Sequence, residues 1–401
     1  MNRILVIGAG PGPAEGLTLE ALRALGEADA VYAAQRYAGL VPPEKRRALL
    51  PIETSIRSME QESREGRRTA VLVSGDAGFY SLLGRLREEL GAEALQVIPG
   101  VGSVQTLCAR LRIGWEGAAF LSAHGRELPP SVLCHTAATN ARTFVLLDAL
   151  HGVRWVRQTL DAGGLGHVRL IVGSDLGGAG EAILTEPDKE PAAPALTLLE
   201  NGSPRAGLPP AGLEDAAFAR GAVPMTKREI RVQALALLRL PADAVVWDIG
   251  AGTGSVSVEC ARQCPYGQVL AVEREPEALP LIRENIRRFR LQNVTVAEGE
   301  APEALRALPC PTHAFVGGSG GRLQEILEAL EALPSPVRVC ASAVTLENAA
   351  RLNGRMKTYG GFEAVQLSVS RLEPAGGVTM LRAQNPVFLF AGTTGGQEKE
   401  T

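Results

Sequence analysis

Short runs of apolar residues alternate with longer amphipathic stretches along the first part of the chain. The apolar runs at 4–7, 71–73 and 96–98 each end at a turn that contains glycine. Runs of this kind, separated by segments of helical length, are typical of βαβ units, so we predict a parallel sheet within residues 1–116. From 117 to 202 the apolar runs lie closer together, with helices between only some of them, and predict a second, mixed α/β subdomain.

A segment rich in glycine, proline and alanine separates this half of the chain from the next. It breaks both the helical and the strand period, so we predict a domain linker at 203–222. Strands and helices alternate again over 223–393, as in a doubly wound α/β fold, and 394–401 form a short tail. The last two apolar runs, 362–371 and 377–390, have no helix between them and predict an antiparallel hairpin that closes a parallel sheet.

The composition is that of a globular protein and narrows the range of functions. The chain has 401 residues, 45% of them hydrophobic, which favours two or more domains. Its formal net charge of -3 lacks the clustered basic excess of a nucleic-acid-binding surface. The six cysteines form no C-x-x-C pair, so we expect no metal site. Because we find neither a signal peptide nor an apolar run of roughly 18 residues, we expect a cytoplasmic protein without a membrane segment.

A glycine-rich turn follows the strand predicted at 245–249. Ligands of open parallel sheets bind at the carboxyl ends of the strands, where glycines let the backbone approach the ligand. The spacing from Gly250 to Gly254 is G-x-G-x-G and not the G-x-G-x-x-G of dinucleotide binders, which disfavours NAD. Glu273, at the end of the next predicted strand, is placed to accept hydrogen bonds from both hydroxyls of a ribose; the alternative is a surface glutamate.

Two more loops follow the third and fourth predicted strands of this half. The first contains Glu300 and Ala301, at the position where an adenine edge is usually bound. The second, G-G-S-G-G from Gly317, offers an open floor of backbone amides that suits a bulky or anionic group, unless it is only a flexible loop. We therefore expect substrate contacts at Gly317, Gly318, Ser319 and Gly320, and we take Ser319 as a candidate catalytic residue.

Together with 224–231, these segments resemble the methylating and decarboxylating domain of cobalamin biosynthesis over residues 222–392. The resemblance implies a Rossmann-like class I methyltransferase domain, in which a terminal hairpin is common, and S-adenosyl-L-methionine as the cofactor. The family often has Asp where this chain has Glu273 and Glu300, and both keep the carboxylate. The implied cofactor contacts are Thr226, Gly250, Ala251, Gly252, Thr253, Gly254, Glu273, Glu300 and Ala301.

The first half also opens with a strand and a glycine-rich turn, G-A-G-P-G from Gly8, which taken alone has a dinucleotide-binding loop as its less favoured alternative. Three further segments follow it: VSGDAGFY at 73–80, VIPGVGSVQ at 97–105 and LSAHGR at 121–126. In that order and spacing they resemble the tetrapyrrole methylase family, whose fold holds S-adenosylmethionine in a cleft between two α/β subdomains. The resemblance implies cofactor contacts at Pro11, Gly75, Asp76, Ala77, Ser103 and Val104.

The last of these segments carries two candidate side chains. His124 is a candidate proton acceptor or substrate contact, although a single histidine is more often structural. Arg126 can form paired hydrogen bonds with the carboxylates that a tetrapyrrole carries, so we predict that it contacts the substrate.

The two halves together resemble fused methyltransferases that act on one small-molecule tetrapyrrole. The resemblance implies two S-adenosylmethionine sites, one per domain, with C5 methylation in the N-terminal domain and C15 methylation with C12 acetate decarboxylation in the C-terminal one. It also implies a homo-oligomer, because both parent families usually form one. A nucleotide-dependent oxidoreductase and a non-catalytic cofactor-binding scaffold remain as alternatives.

Overall fold

The computed structural model describes residues 2–148, 150–187, 189–191 and 195–395. The chain divides into two compact units. The first holds most of the chain up to Arg205, and the second holds the chain from Ala206 together with Pro129–His135 and Ala162–Gly164. No helix within the described ranges is long and apolar enough to cross a membrane.

A parallel sheet of five strands forms the first part of the N-terminal unit. Its strands are β1 (Ile4–Gly8), β2 (Ala30–Ala33), β3 (Arg46–Ala48), β4 (Thr69–Val73) and β5 (Leu95–Ile98), in the order β3-β2-β4-β1-β5. The connecting helices are α1 (Leu19–Glu27), α2 (Ile52–Arg64), α3 (Leu83–Leu90) and α4 (Ser103–Leu111). The apolar residues of β1 and β4 are buried on both faces of the sheet, as expected for parallel strands covered by helices.

A mixed sheet forms the second part of this unit. Its strands are β6 (Ala119–Ser122), β7 (Arg142–Leu146), β8 (Arg169–Ser174), β9 (Ala182–Thr185) and β10 (Ala195–Glu200), in the order β6-β7-β10-β8-β9. Only β6 and β7 pair in parallel, and the other pairs are antiparallel. Two helices, α5 (Pro130–Thr139) and α6 (Val153–Ala162), complete it, so the prediction of a mixed α/β architecture here is confirmed.

The second unit contains a sheet of seven strands with helices on both sides. Its elements are α7 (Arg228–Leu238), β11 (Val245–Ile249), α8 (Ser255–Gln263), β12 (Gln268–Glu273), α9 (Leu279–Arg288), β13 (Val294–Glu298), β14 (His313–Val316), α10 (Leu323–Glu331), β15 (Arg338–Ala343), α11 (Leu346–Met356), β16 (Gly360–Leu367), β17 (Ser370–Ala375), β18 (Val378–Ala383) and β19 (Val387–Thr393). The strand order is β13-β12-β11-β14-β15-β19-β16. The order reverses between β11 and β14, and ligands of such sheets bind at this switch point.

Alternating residues of the central strands pack into two separate cores. Trp247 and Ile249 lie in the core on one face of the sheet, whereas Val246 and Phe315 lie in the core on the other face. Four of the five residues of β11 are apolar, and burial on both faces explains this composition.

The predicted terminal hairpin of two long strands is wrong in detail, because four strands form in its place. The outer strands β16 and β19 are antiparallel and join the sheet through β15, whereas β17 and β18 pair only with each other. Pairing of the outer strands ends at Leu367 and Val387, and the inner pairing begins at Ser370 and Ala383. Pro386, which has no N–H to donate, lies in the break between β18 and β19.

Both predicted boundary segments of the second domain contain ordered contacts. In the segment predicted as a linker, Phe218 is buried and the amides of Gly212 and Leu213 donate to the buried carboxylate of Glu259. In the predicted tail, Thr394 exchanges two hydrogen bonds of 2.9 Å with the backbone of Val337. Residues 396–401 of that tail lie outside the described residues.

Candidate functional site

The carboxyl ends of β11, β12, β13 and β14 open into one cavity of about 830 Å³. Each strand contributes its following loop to the wall. The cavity therefore lies at the switch point of the sheet, where the glycine-rich turn predicts a ligand site. Of the predicted contacts, the residues that line it are Thr226, Gly250, Ala251, Gly252, Glu273, Glu300, Ala301, Gly317, Gly318, Ser319 and Gly320.

Two predicted cofactor contacts are not among the lining residues of this cavity. Thr253 is buried, and its hydroxyl has no hydrogen-bond partner among the described residues. Gly254 is the residue that precedes α8, with its backbone in the left-handed region. These two residues end the turn beneath the cavity floor and begin the helix.

The glycine-rich turn and the G-G-S-G-G loop approach each other closely across the floor of the cavity. Gly250 has a φ of +72°, and a Cβ built on it would lie 2.3 Å from the carbonyl oxygen of Gly318. A side chain at position 250 would therefore meet both an unfavourable backbone conformation and a steric clash. This contact is why the motif needs glycine here.

Glu273 holds the glycine-rich turn in place. Its Oε2 accepts a hydrogen bond of 2.7 Å from the amide of Gly252, and its Oε1 accepts bonds from the amides of Arg274 at 2.8 Å and Glu275 at 2.9 Å. A carboxylate offers about four acceptor positions, so three amides leave capacity for a further donor from the cavity. Because the side chain is buried, the alternative of a solvated surface glutamate is excluded.

Arg274 connects two walls of the cavity and was missed by the sequence reasoning. Its guanidinium pairs with Glu300 and lies against the loop at Gly320, where an added Cβ would be 2.7 Å from Nη1. Glu300 is therefore already engaged in an ion pair at the edge of the cavity. A lone arginine directly after Glu273 gives no sequence signal for such a bridge.

Asp248 lies below the turn and is fully buried. Burial raises the pKa of this carboxyl from its usual 3.8 to about 6, and the Ser257 hydroxyl donates to Oδ2. Its other oxygen, Oδ1, has no hydrogen-bond partner in the described part of the chain. Asp248 is not among the residues that line the cavity.

The remaining wall of the cavity comes from segments far away in the sequence. Residues from the start of α7 and from the β17–β18 hairpin line it, among them Lys227, Arg371, Arg382, Gln384 and Asn385. None of them belongs to a glycine-rich motif. The separation of β17 and β18 from the main sheet, which the sequence did not predict, brings the hairpin residues to the cavity.

In the N-terminal unit, the loops after β1, β4 and β5 converge. Gly10 and Gly75 form an isolated bridge, with reciprocal hydrogen bonds of 3.1 Å. A Cβ on Gly100 would lie 2.5 Å from the Gly75 oxygen and 2.7 Å from the Gly8 oxygen. Three of the predicted motifs therefore meet through their backbones, at the carboxyl ends of adjacent parallel strands.

Side chains of the loop at 75–80 extend these connections. Asp76 accepts hydrogen bonds from the amides of Gly78 at 2.8 Å and Gly100 at 3.0 Å, and so joins two loops. The hydroxyl of Tyr80 donates to the Phe120 carbonyl at 3.0 Å, and the guanidinium of Arg126 lies 5.0 Å from the centre of the Tyr80 ring. The loop thus contacts both subdomains.

A smaller cavity of about 320 Å³ lies between the first loop and α4. Pro11 lines it, together with residues that were not predicted, such as Thr18, Gln105 and Arg110. The other predicted contacts do not line it: Gly75, Asp76, Ala77, Ser103 and Val104.

Several predicted N-terminal residues have other surroundings. The side chains of Ala77 and Val104 are buried in the hydrophobic cores, and Ser103 is the first residue of α4. His124 and Arg126 lie on an exposed loop, where the His124 amide donates to the Ser122 hydroxyl at 3.2 Å. Among the residues that the structure describes, no group of three or more His, Cys, Asp or Glu could hold a metal ion.

Two families match the two halves of the chain. Residues 3–192 match the Tetrapyrrole (Corrin/Porphyrin) Methylases, and residues 216–394 match the Precorrin methyltransferase domain. The chain is 32% identical over 404 residues to a precorrin-6Y C(5,15)-methyltransferase [decarboxylating] from Sinorhizobium sp, with 98% of this chain and 96% of the relative covered.

Two further similarities cover shorter parts of the chain. A cobalt-precorrin-6B C(15)-methyltransferase (decarboxylating) from Salmonella typhimurium is 38% identical over 183 residues, which are 45% of this chain and 94% of the relative. A crystal structure of a precorrin-6Y C5,15-methyltransferase from Geobacter metallireducens GS-15 is 38% identical, covers 45% of this chain and 98% of its own, and has a TM-score of 0.43.

Proposed function

Because this chain belongs to the precorrin-6Y C5,15-methyltransferase (decarboxylating) family, we propose that it methylates precorrin-6Y at C5 and C15 and removes carbon dioxide from the C12 acetate. It is a methyltransferase with decarboxylating activity. The product of the proposed reaction is precorrin-8X, in cobalamin biosynthesis. The observation that carries the proposal is the similarity along 98% of the chain, across two different methylase domains.

We place one S-adenosylmethionine site in each domain. In the C-terminal domain, the residues at the cavity fit this cofactor: the glycines leave the floor open, and Glu273 keeps acceptor capacity for a ribose hydroxyl. We assign Thr226, Glu300 and Ala301 to the same cofactor, because they line the same cavity. Ser319 and its neighbouring glycines then remain for the substrate.

The N-terminal site is supported by the meeting of three loops at the strand ends. Asp76 and the backbones of Gly8, Gly75 and Gly100 hold these loops together, and Pro11 lines the adjoining cavity. We assign cofactor binding to this region, mainly through backbone groups, since the side chains of Ala77 and Val104 are buried. Arg126, fixed over the Tyr80 ring, is assigned to a substrate carboxylate.

Methyl transfer depends mainly on how the cofactor and the tetrapyrrole are positioned. S-adenosylmethionine supplies an electrophilic methyl group when bound, and a reduced tetrapyrrole supplies an electron-rich carbon. The loops therefore need to align the two and exclude water, which contributes up to several kcal/mol. No strong base is required for this step.

Decarboxylation places a further demand on the C-terminal domain. The bond between the acetate methylene and its carboxyl carbon breaks, its electron pair passes into the conjugated ring, and carbon dioxide leaves. A proton is then taken up by the substrate, for which a hydroxyl such as that of Ser319 is a candidate relay. Its position in the G-G-S-G-G loop supports this assignment.

We assign one methylation to each of the two domains. We place C5 methylation in residues 1–202 and C15 methylation with decarboxylation in 223–393, joined by 203–222. By analogy with both parent families, we also infer a cytoplasmic homo-oligomer. The nucleotide-dependent oxidoreductase is not supported, since both matching families are methyltransferases.

Calorimetry and mass spectrometry test the proposal on the full chain. S-adenosylhomocysteine should bind at two sites per chain, and NADPH should not bind. Incubation with precorrin-6Y and S-adenosylmethionine should add two methyl groups and remove one carbon dioxide. Binding of NADPH in place of S-adenosylhomocysteine, or no change in the mass of precorrin-6Y, would refute the proposed function.

A further inference from the structure

Two arginines lie directly opposite each other on the β17–β18 hairpin. Arg371 and Arg382 are cross-strand partners in its antiparallel register, and both line the C-terminal cavity. Like charges directly opposite in a sheet are destabilising. The hairpin is also a separate two-stranded sheet, which is marginally stable by itself. The two facing arginines of this hairpin therefore need interactions that offset their repulsion.

Arg371 is held by acidic partners from other elements. Its guanidinium donates to both oxygens of Glu229, at 3.1 and 2.7 Å, and to Asp215 at 3.0 Å. These bonds tie the hairpin to the start of α7 and to the segment before it. Asp215 also accepts a bond of 2.9 Å from the buried Arg231. Arg371 therefore fixes the hairpin beside the cavity and is itself neutralised.

Arg382 differs from Arg371 in its exposure and in its acidic partner. Its side chain is 76% exposed, and its ion pair at 3.1 Å is with Glu373, which is 49% exposed. Exposed ion pairs of this kind contribute little stability, so the arginine can exchange its partner at small cost. Arg382 and Glu373 both line the cavity, so the Arg382 guanidinium is available to an anionic group bound there.

The surroundings of Arg382 match an apolar molecule with charged edges. Val378 and Met380 share its face of β18 and are 65% and 58% exposed. Val344, Val369 and Val387 line the cavity near the hairpin and the strand ends. A flat apolar macrocycle with peripheral carboxylates combines both properties.

We infer that Arg382 binds a peripheral carboxylate of the tetrapyrrole in the C-terminal site, while Arg371 positions the hairpin. This inference rests on the proposed function. It names a side-chain contact with the substrate that the glycine-rich loops do not supply. The competing occupant is the carboxylate of the cofactor, and the two are separated by measuring cofactor binding directly.

The test compares substitutions at Arg382 in the full chain. Arg382→Gln should raise KM for precorrin-6Y in C15 methylation and decarboxylation about tenfold, the effect of one lost charge-assisted hydrogen bond, with a smaller change in kcat. Arg382→Lys should recover part of this loss, because it keeps the charge. The matched control is Arg351→Gln, which removes an equal charge from the exposed face of α11.

Direct measurement of cofactor binding distinguishes the possible failures. Affinity for S-adenosylhomocysteine should stay unchanged in Arg382→Gln. An unchanged KM, a rise equal to that of Arg351→Gln, or a parallel loss of S-adenosylhomocysteine affinity would overturn the assignment to the substrate. Absence of any product from the unaltered chain would instead refute the proposed function and not the role of Arg382 alone.

Discussion

Replacing Gly250 by alanine should disable the C-terminal site selectively. The new Cβ would lie 2.3 Å from the Gly318 oxygen, on a backbone with φ of +72°. The left-handed conformation costs about 1–2 kcal/mol for a residue with a side chain, and overpacking costs about 1–3 kcal/mol. The two costs sum to about 2–5 kcal/mol, and the clash is relieved only if the two loops separate, which deforms the cavity floor.

Calorimetry of the full chain with S-adenosylhomocysteine measures the consequence. One site should keep its affinity, and the other should weaken at least about tenfold, since 1.4 kcal/mol corresponds to a factor of ten. In product analysis, C15 methylation and loss of carbon dioxide should fall together.

Gly318→Ala is the matched control, because it adds the same methyl group on the other side of the same contact. Its Cβ would lie 3.8 Å from the nearest atom, the Cα of Gly250, and its φ is not positive. Folding stability and S-adenosylhomocysteine affinity should therefore change little. Equal effects of the two substitutions, or two intact sites in Gly250→Ala, would contradict the reasoning.

Three further substitutions test the electrostatics of the two sites. Burial raises the pKa of Asp248 from 3.8 to about 6, so the native state binds this proton more tightly than the unfolded state, and stability falls by about 3 kcal/mol as the pH rises through this window. Asp248→Asn should remove that fall in thermal unfolding followed against pH; an unchanged profile would refute the shift. Glu273→Gln should weaken the C-terminal site for S-adenosylhomocysteine and lower stability by about 1–3 kcal/mol, because an amide cannot accept all three backbone bonds. Asp76→Asn should weaken only the N-terminal site, since an amide with one acceptor oxygen cannot replace both carboxylate oxygens that bond to the Gly78 and Gly100 amides; calorimetry that shows loss at the other site would contradict this.

The sequence predicts the central strands of both parallel sheets well. The strand at 245–249 is predicted and observed with the same bounds, because it is buried on both faces and four of its five residues are apolar. The short edge strand Arg46–Ala48 has only one apolar residue and gives no such signal. The terminal strands fail for another reason: pairing changes from one sheet to another at residues 368–369 and 384–386, inside the two predicted runs.

The candidate site likewise has residues that the sequence predicts and residues that it does not. Residues of the glycine-rich loops were predictable, because close backbone approach restricts some of them to glycine and leaves a motif, as at Gly250. Arg371 and Arg382 carry no local signal. They reach the cavity through the path of a hairpin, and that path depends on pairing between distant strands.

The two domains hold their loops by separate means, and this separation makes the order of the proposed reactions measurable. Asp76 joins loops of the first unit, whereas the Glu273 carboxylate bonds to amides at its own strand end and in the turn of the second unit. A substitution that disables one site should therefore leave the other intact. If C5 methylation comes first, Gly250→Ala accumulates a product with one added methyl group and its acetate retained, whereas if C15 methylation comes first, that variant accumulates unchanged precorrin-6Y and Asp76→Asn accumulates the decarboxylated product.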